Sequence, residues 1–361
     1  MENFFNSVQI TNFKSLKNVI LSDCKRINLL IGKPNVGKSN ILEAIGLFSL
    51  PYLKYTKNKK ITQFVRLENI PELFFDGNVD EKITLETGEG SYYSVSYSNR
   101  GGSVDLEIFL NYQPDPNISS LNPEHYLDEG DKYSLSINNQ LILESLSSDT
   151  KDTNNQDYSY PPKVKLYKFS QEPTFKKLDY FLRYLIPPYG INLFDVIQGH
   201  KELRSGLSKI FSEYGLKLLF DSTNHTLRLM KTLKEDNIAS FPYSSIADTL
   251  QRIIFFKAAI ASNQKSILLF EEPEAHCFPP YITHIAREII DSESNQFFIA
   301  THSPYILDTF LEYERDDLAI YMADFKDGQT VIKRLTDAEL NDVFEYGLDL
   351  FFNAELFTDE I

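Results

Sequence analysis

The chain has 361 residues, enough for one large domain or two ordinary ones, and its 42% hydrophobic and 24% charged residues describe a globular rather than a disordered protein. A net charge of −15 argues against a surface broadly adhesive to nucleic acid or anionic lipid, while leaving room for a local basic groove. No apolar run is long enough to span a membrane, no signal-peptide pattern opens the chain, and Cys24 and Cys277 belong to no Cys/His cluster. The expectation is a cytoplasmic protein with reduced thiols, no zinc site and no membrane partner.

In chain order the start is strand-rich: Val8 to Ile10, Asn12 to Lys17, Val19 to Leu21, and then the apolar run Ile27 to Ile31. That run feeds Gly32-Lys33-Pro34-Asn35-Val36-Gly37-Lys38-Ser39, which fits the phosphate-loop pattern G-x-x-x-x-G-K-[S/T] at every fixed position. The following Ser39-Asn40-Ile41-Leu42-Glu43-Ala44-Ile45-Gly46-Leu47-Phe48 repeats its apolar residues at helical spacing, so the motif has its strand, loop and helix. Gly32 and Gly37 permit backbone conformations that let successive N–H groups converge on phosphate oxygens at a helix N-terminus. Lys38 is then expected to reach the β- and γ-phosphates of ATP, and the Ser39 hydroxyl to ligate Mg²⁺. The competing interpretation is a Gly-rich turn that ends in Lys-Ser by chance.

The basic piece Lys54 to Lys60 reads as a solvated loop, and Asp76-Gly77 as a turn. From about 82 to 170 the pattern has period two: Ile83 to Glu86, Tyr92 to Tyr97, Val104 to Leu110, Tyr133 to Ile137 and Val164 to Tyr167 read as half-buried antiparallel strands. Turn-rich pieces separate them at Ser98 to Ser103, Pro114 to Asn117 and Ser147 to Asp157. Tyr92, Tyr93 and Tyr97 invite comparison with a base-stacking platform, but tyrosine also simply suits strands. From 171 to 235 the spacing predicts helices over Phe175 to Leu185 and Leu203 to Leu219, divided by Pro187-Pro188-Tyr189-Gly190.

Ile267 to Phe270 is an apolar strand ending in Glu271-Glu272-Pro273-Glu274-Ala275-His276. It is expected to run beside the phosphate-loop strand and deliver its acids to the sheet edge where ligands bind. Glu271 is assigned to water-mediated Mg²⁺ coordination and Glu272 to positioning or deprotonating the attacking water. A helix over Tyr281 to Ile290 returns the chain to the strand Phe297 to Ala300, which stops at Thr301-His302-Ser303-Pro304. His302 at that strand end can contact a γ-phosphate and sense its loss.

The phosphate loop, the Ile267 to His276 segment, the Ala300-Thr301-His302-Ser303-Pro304-Tyr305-Ile306-Leu307 segment and the opening Ile10 to Leu16 together resemble the ABC-type ATPases of the SMC, RecF and OLD (overcoming lysogenization defect) group, whose members often carry an AAA label. The resemblance implies an α/β P-loop NTPase of ABC type with β-rich and helical insertions. Together with the period-two and helical stretches, it leads to an expected division into 1–75 and 241–361 as the two halves of the ATPase domain, 76–170 as a β-rich lobe and 171–240 as a helical insertion. It implies that the counterpart of the group's signature lies at Tyr243 to Arg252, where Ser244 and Ser245 reach nucleotide across a homodimer or higher oligomer. Serine is kept there but the group's glycines are not, and Gln63 is the nearest candidate for its Gln loop. The stretch after His302 is expected to be too short for the TOPRIM nuclease domain of full-length OLD-type proteins, so the implied role is regulation of, or sensing for, a separate effector such as a nuclease, in defence against phage. The alternative is a RecF- or SMC-like DNA-repair clamp.

Overall fold

A computed structural model gives the fold and describes residues 4–100, 103–112, 131–148, 163–171, 175–178, 182–233 and 237–358. The elements in order are β1 (Val8–Phe13), β2 (Leu16–Leu21), β3 (Ile27–Ile31), α1 (Lys38–Gly46), β4 (Ile83–Thr87), β5 (Tyr92–Arg100), β6 (Ser103–Tyr112), β7 (Asp131–Asn138), β8 (Leu143–Ser148) and β9 (Val164–Tyr167). They continue with α2 (Leu193–Gly199), α3 (Lys201–Ser212), β10 (Leu216–Asp221), β11 (Thr226–Thr232), β12 (Ile238–Pro242), α4 (Asp248–Ala261), β13 (Ile267–Glu271) and α5 (Pro279–Ile290). The last are β14 (Gln296–Ala300), α6 (Pro304–Tyr313), β15 (Leu318–Lys326), β16 (Gln329–Arg334), α7 (Asp337–Tyr346) and α8 (Ala354–Thr358).

Strands β3, β13 and β14 are almost wholly apolar, and such strands need cover on both faces. They lie inside a six-stranded sheet of order β16-β15-β3-β14-β13-β9, parallel except for the edge strand β16. Alternate residues sort to opposite sides. Ile27, Leu29, Ile31, Phe297 and Ile299 pack with residues of α4, α5 and α6 in one core, while Leu30, Phe298, Ala300 and Leu269 pack with Ile41 and Ile45 of α1 in the other. At about 25 cal/mol per Å² of buried apolar surface, this two-sided burial dominates the stability of the sheet.

The acid-bearing strand β13 does not run beside the phosphate-loop strand as expected: β14 lies between them. Both strands are short apolar runs, so hydropathy alone could not rank their places. Polar contacts accompany the observed pairing: the Asn28 side-chain amide on β3 donates to Phe297 O on β14 at 3.0 Å. Gln296, also buried, bonds to the backbone of Phe5 and Lys25 and fixes the start of β14 against the N-terminal segment.

A second, antiparallel sheet has the order β2-β1-β4-β5-β6-β7-β8, and a third the order β10-β11-β12. The expected period-two strands all lie in the second sheet except Val164 to Tyr167, which is the edge strand β9 of the first. Tyr93 is fully buried, and its hydroxyl donates to Ala44 O on α1 at 3.0 Å, so it joins this sheet to the phosphate-loop helix rather than offering a stacking face.

Two helical expectations are corrected. Residues 175–178 and 182–185 are not helical, and residues 179–181 fall outside the described residues. The stretch from Leu203 to Leu219 divides: α3 stops at Ser212, Gly215 takes φ +65°, and Leu216 starts a strand. A left-handed glycine ends a helix in this way because no Cβ opposes it. The turn expected at Pro114 to Asn117, and most of Ser147 to Asp157, lie outside the described residues.

Candidate nucleotide site

The parallel strands β3, β14 and β13 each release a loop at the same edge of the sheet, and the three loops enclose a cavity of about 430 Å³. Its walls include Pro34, Asn35, Gly37, Lys38, Ser39 and Asn40 after β3, Ala300 and His302 at the end of β14, and Glu271 and Glu272 at the end of β13.

The glycines of the first loop are dictated by close approach. A Cβ on Gly32, at φ +156°, would lie 2.2 Å from Ala323 O on β15, and one on Gly37, at φ +101°, would lie 2.0 Å from Thr330 Oγ1. Gly37 is also the N-cap of α1 and brings no side-chain cap, which leaves the helix N-terminus with donors for an anion. Asn40 donates to Ser15 Oγ at 2.7 Å, and Ser15 Oγ in turn lies 2.7 Å from Thr330 Oγ1, so the loop rests on a polar floor. Val36 is buried beneath the loop, and Lys33 turns away to pair with Glu355 Oε1 of α8 at 2.6 Å.

Lys38 is 5% exposed and donates to Gly32 O at 2.8 Å and Lys33 O at 2.7 Å. Burial pulls its amine down to about 8, with Glu272 and Glu271 acting in the opposite direction. A consequence follows for binding. An amine of that acidity must take up a proton to meet phosphates once the pH exceeds its value, so ATP affinity should weaken by up to about tenfold per pH unit above about 8. Calorimetry in buffers of different ionisation enthalpy would register the proton uptake; an affinity flat between about pH 7 and pH 9 would contradict it.

Glu272 has a left-handed backbone, φ 43°, with its N–H donating to Ala300 O at 2.8 Å, so β14 sets its place. Its Oε1 lies 3.7 Å from His302 Nε2. Burial, and then the Lys38 charge, hold His302 below the ordinary imidazole range, while Glu272 pulls it back. Glu274 accepts from Thr301 Oγ1 at 2.6 Å and from His302 N at 2.9 Å, and burial raises its carboxyl. The third acid of the Glu271 to Glu274 run therefore orders the backbone that carries His302.

Four charged groups beside the site escaped the sequence reading. Lys14 and Arg66 line the cavity, Arg66 Nη2 pairs with Glu271 Oε1 at 2.8 Å, and the buried Glu43 and half-buried Lys168 stand behind them. The one available signal was Glu43, a carboxylate among the apolar residues of α1. Ser244 and Ser245 are not in this cavity; they are exposed in a 3-10 turn, Tyr243–Ser245, ahead of α4. Thr249 at the start of α4 donates to His276 O at 2.9 Å, which ties that region to the segment after β13. Gln63 also lies outside the cavity lining and bonds Asn58 Oδ1 at 2.6 Å.

The fold is that of an α/β P-loop NTPase of ABC type, with the phosphate loop at the open edge of its parallel sheet. The chain belongs to the family described as "AAA domain, putative AbiEii toxin, Type IV TA system", whose model matches residues 27–308. It is 22% identical over 326 residues to a Helicobacter pylori protein named "ATP/GTP phosphatase", covering 82% of this chain and 85% of that one. Among solved structures it is similar to an Smc head bound to the C-winged helix domain of ScpA, with a TM-score of 0.50 and 15% identity over 93% of this chain and 99% of the other. Among the described residues no helix is long and apolar enough to cross a membrane.

Proposed function

We propose that this chain hydrolyses ATP to ADP and phosphate as a Mg²⁺-dependent homodimer of OLD-like type that regulates or senses for a separate effector in defence against phage. The observation that carries the reading is the gathering of Lys38, Ser39, Glu271, Glu272 and His302 around one cavity. Ser39 and Glu271 supply a hydroxyl and a carboxylate, the hard oxygen donors that Mg²⁺ prefers, so the residues present fit that ion. When bound, Mg²⁺ neutralises phosphate charge and polarises the bond to be broken.

The chain's own groups then divide the work. Lys38 binds the β- and γ-phosphates, Glu272 accepts the proton of the attacking water, and His302 donates to the γ-phosphate and reports its loss. Glu272 and His302 stand on adjacent strand ends, which suits a water held between base and phosphate. Ser244 and Ser245 are exposed, as a contact made in trans requires. Lacking the glycines of the usual signature, that segment approaches phosphate less closely, so hydrolysis is slow or stimulated by a partner. The family description, which names a toxin and a type IV TA system, supports a role in defence.

The test is the mass of the protein in solution. With Mg²⁺ and a non-hydrolysable ATP analogue it should shift from one chain to two or a higher multiple, and Ser244→Arg should block the shift while leaving nucleotide binding intact. A mass of one chain both with and without nucleotide would refute the dimer.

A further inference from the structure

We infer that Glu43 is the positioning residue of the nucleotide site, one buried carboxylate on α1 that holds Lys14 and Arg66 against the cavity containing Lys38. The inference rests on the ATP-binding reading above and concerns how that site is kept in shape.

Glu43 is 1% exposed, and a carboxylate that deep persists only if it is paired and hydrogen-bonded. Its Oε2 accepts from Lys14 Nζ at 2.5 Å, and its Oε1 accepts from Arg66 Nε at 2.9 Å and from Arg66 N at 3.1 Å. Lys168 Nζ stands 3.8 Å from the same Oε1. These partners come from three separate places in the chain: Lys14 from the turn between β1 and β2, Arg66 from the segment between α1 and β4, and Lys168 from the loop after β9.

The partners also lock one another. Lys14 Nζ donates to Arg66 O at 2.6 Å, and Lys168 Nζ to Phe64 O at 2.8 Å, so both amines hold the segment that carries Arg66. Because Glu43 and Lys38 share α1, the carboxylate has a fixed distance to the phosphate loop. Arg66 then extends the chain of contacts to Glu271 on β13. One side chain thereby connects the phosphate loop, two cations of the cavity wall and the acid assigned to the metal. The Arg66 side chain is 60% exposed, and without Glu43 its guanidinium would keep only the Glu271 pair, losing the contact that fixes its Nε end against α1.

Charge alone and positioning predict opposite signs, which makes the idea testable. If Glu43 acted only as a negative charge, Glu43→Gln would tighten the binding of anionic ATP. Positioning predicts weaker binding: the KM and Kd for ATP should rise about tenfold while kcat changes less than threefold. Adding Arg66→Ala to Glu43→Gln should then cost less than a further twofold, because the contribution of Arg66 is already lost.

Steady-state ATP hydrolysis and calorimetric ATP binding of wild type, both single variants and the double variant give the answer. If wild type binds ATP but Glu43→Gln has an unchanged or lower KM, or the two substitutions are fully additive, this inference is overturned alone. Wild-type protein that binds no ATP would overturn the reading beneath it as well. If Glu43→Gln does not fold, Glu43→Asp takes its place. That variant keeps the charge but withdraws it by one methylene, and a wild-type KM in folded Glu43→Asp would overturn the inference too.

Discussion

Lys38→Ala is expected to lose roughly a hundredfold or more in ATP affinity without loss of thermal stability. Gly32 O and Lys33 O hold the Lys38 amine at the mouth of the phosphate loop, so it meets an incoming phosphate with its geometry already set. Charge-assisted hydrogen bonds contribute about 1.5–3 kcal/mol each, and two of them, to the β- and γ-phosphates, correspond to at least that factor. The stability half of the expectation comes from burial, since a desolvated cation costs the fold rather than supporting it. Calorimetric titration with ATP and a thermal melt would check both halves. Undiminished ATP binding would sink the phosphate-loop assignment, and a collapse in Tm would show that Lys38 is a structural group.

Glu272→Gln should separate binding from chemistry. The substitution keeps the shape of the side chain but removes its capacity to accept a proton, and general-base catalysis contributes about 10²–10⁴-fold. Phosphate release should fall by that range while ATP affinity stays within about threefold of wild type, because Lys38 and the α1 N-terminus are untouched. The variant should also accumulate the ATP-bound dimer, seen as a stable doubling of mass with ATP and Mg²⁺. His302 would lose its partner at 3.7 Å, so its imidazole should titrate lower still in this variant, a shift that NMR can follow. Hydrolysis at the wild-type rate would remove Glu272 from the role of base.

The phosphate loop was legible because its constraints are local. Gly32 and Gly37 are demanded by contacts with Ala323 and Thr330, and the apolar strand and helix on either side announce themselves by period. The strand ends bearing Glu271, Glu272 and His302 were legible for the same reason, as apolar runs that stop at polar residues. Strand order was not. β13 and β14 carry the same hydropathic signal, and the polar contacts of Asn28 and Gln296 that accompany the pairing of β14 with β3 have no spacing rule to announce them.

The start of β10 reads as a continuation of helix because the leucines and phenylalanines from Leu203 to Leu219 fit either period over short windows. Gly215 was the clue that divided them. The Glu43 cluster was least legible, since Lys14, Arg66 and Lys168 belong to separate segments and no spacing rule connects them. Buried ion pairs between distant segments are written in the tertiary structure and nowhere else.

The hairpin of β1 and β2 bears on how this chain can be cut. It forms the end of the seven-stranded sheet, with β1 paired to β4, while its turn places Lys14 and Ser15 at the wall and floor of the cavity. A fragment that begins after Leu21 would open an unpaired edge on β4 and strip the support from Gly37 in one stroke. The seven-stranded sheet and the phosphate loop are thus tied by one hairpin, and a cut that removes it disturbs both at once.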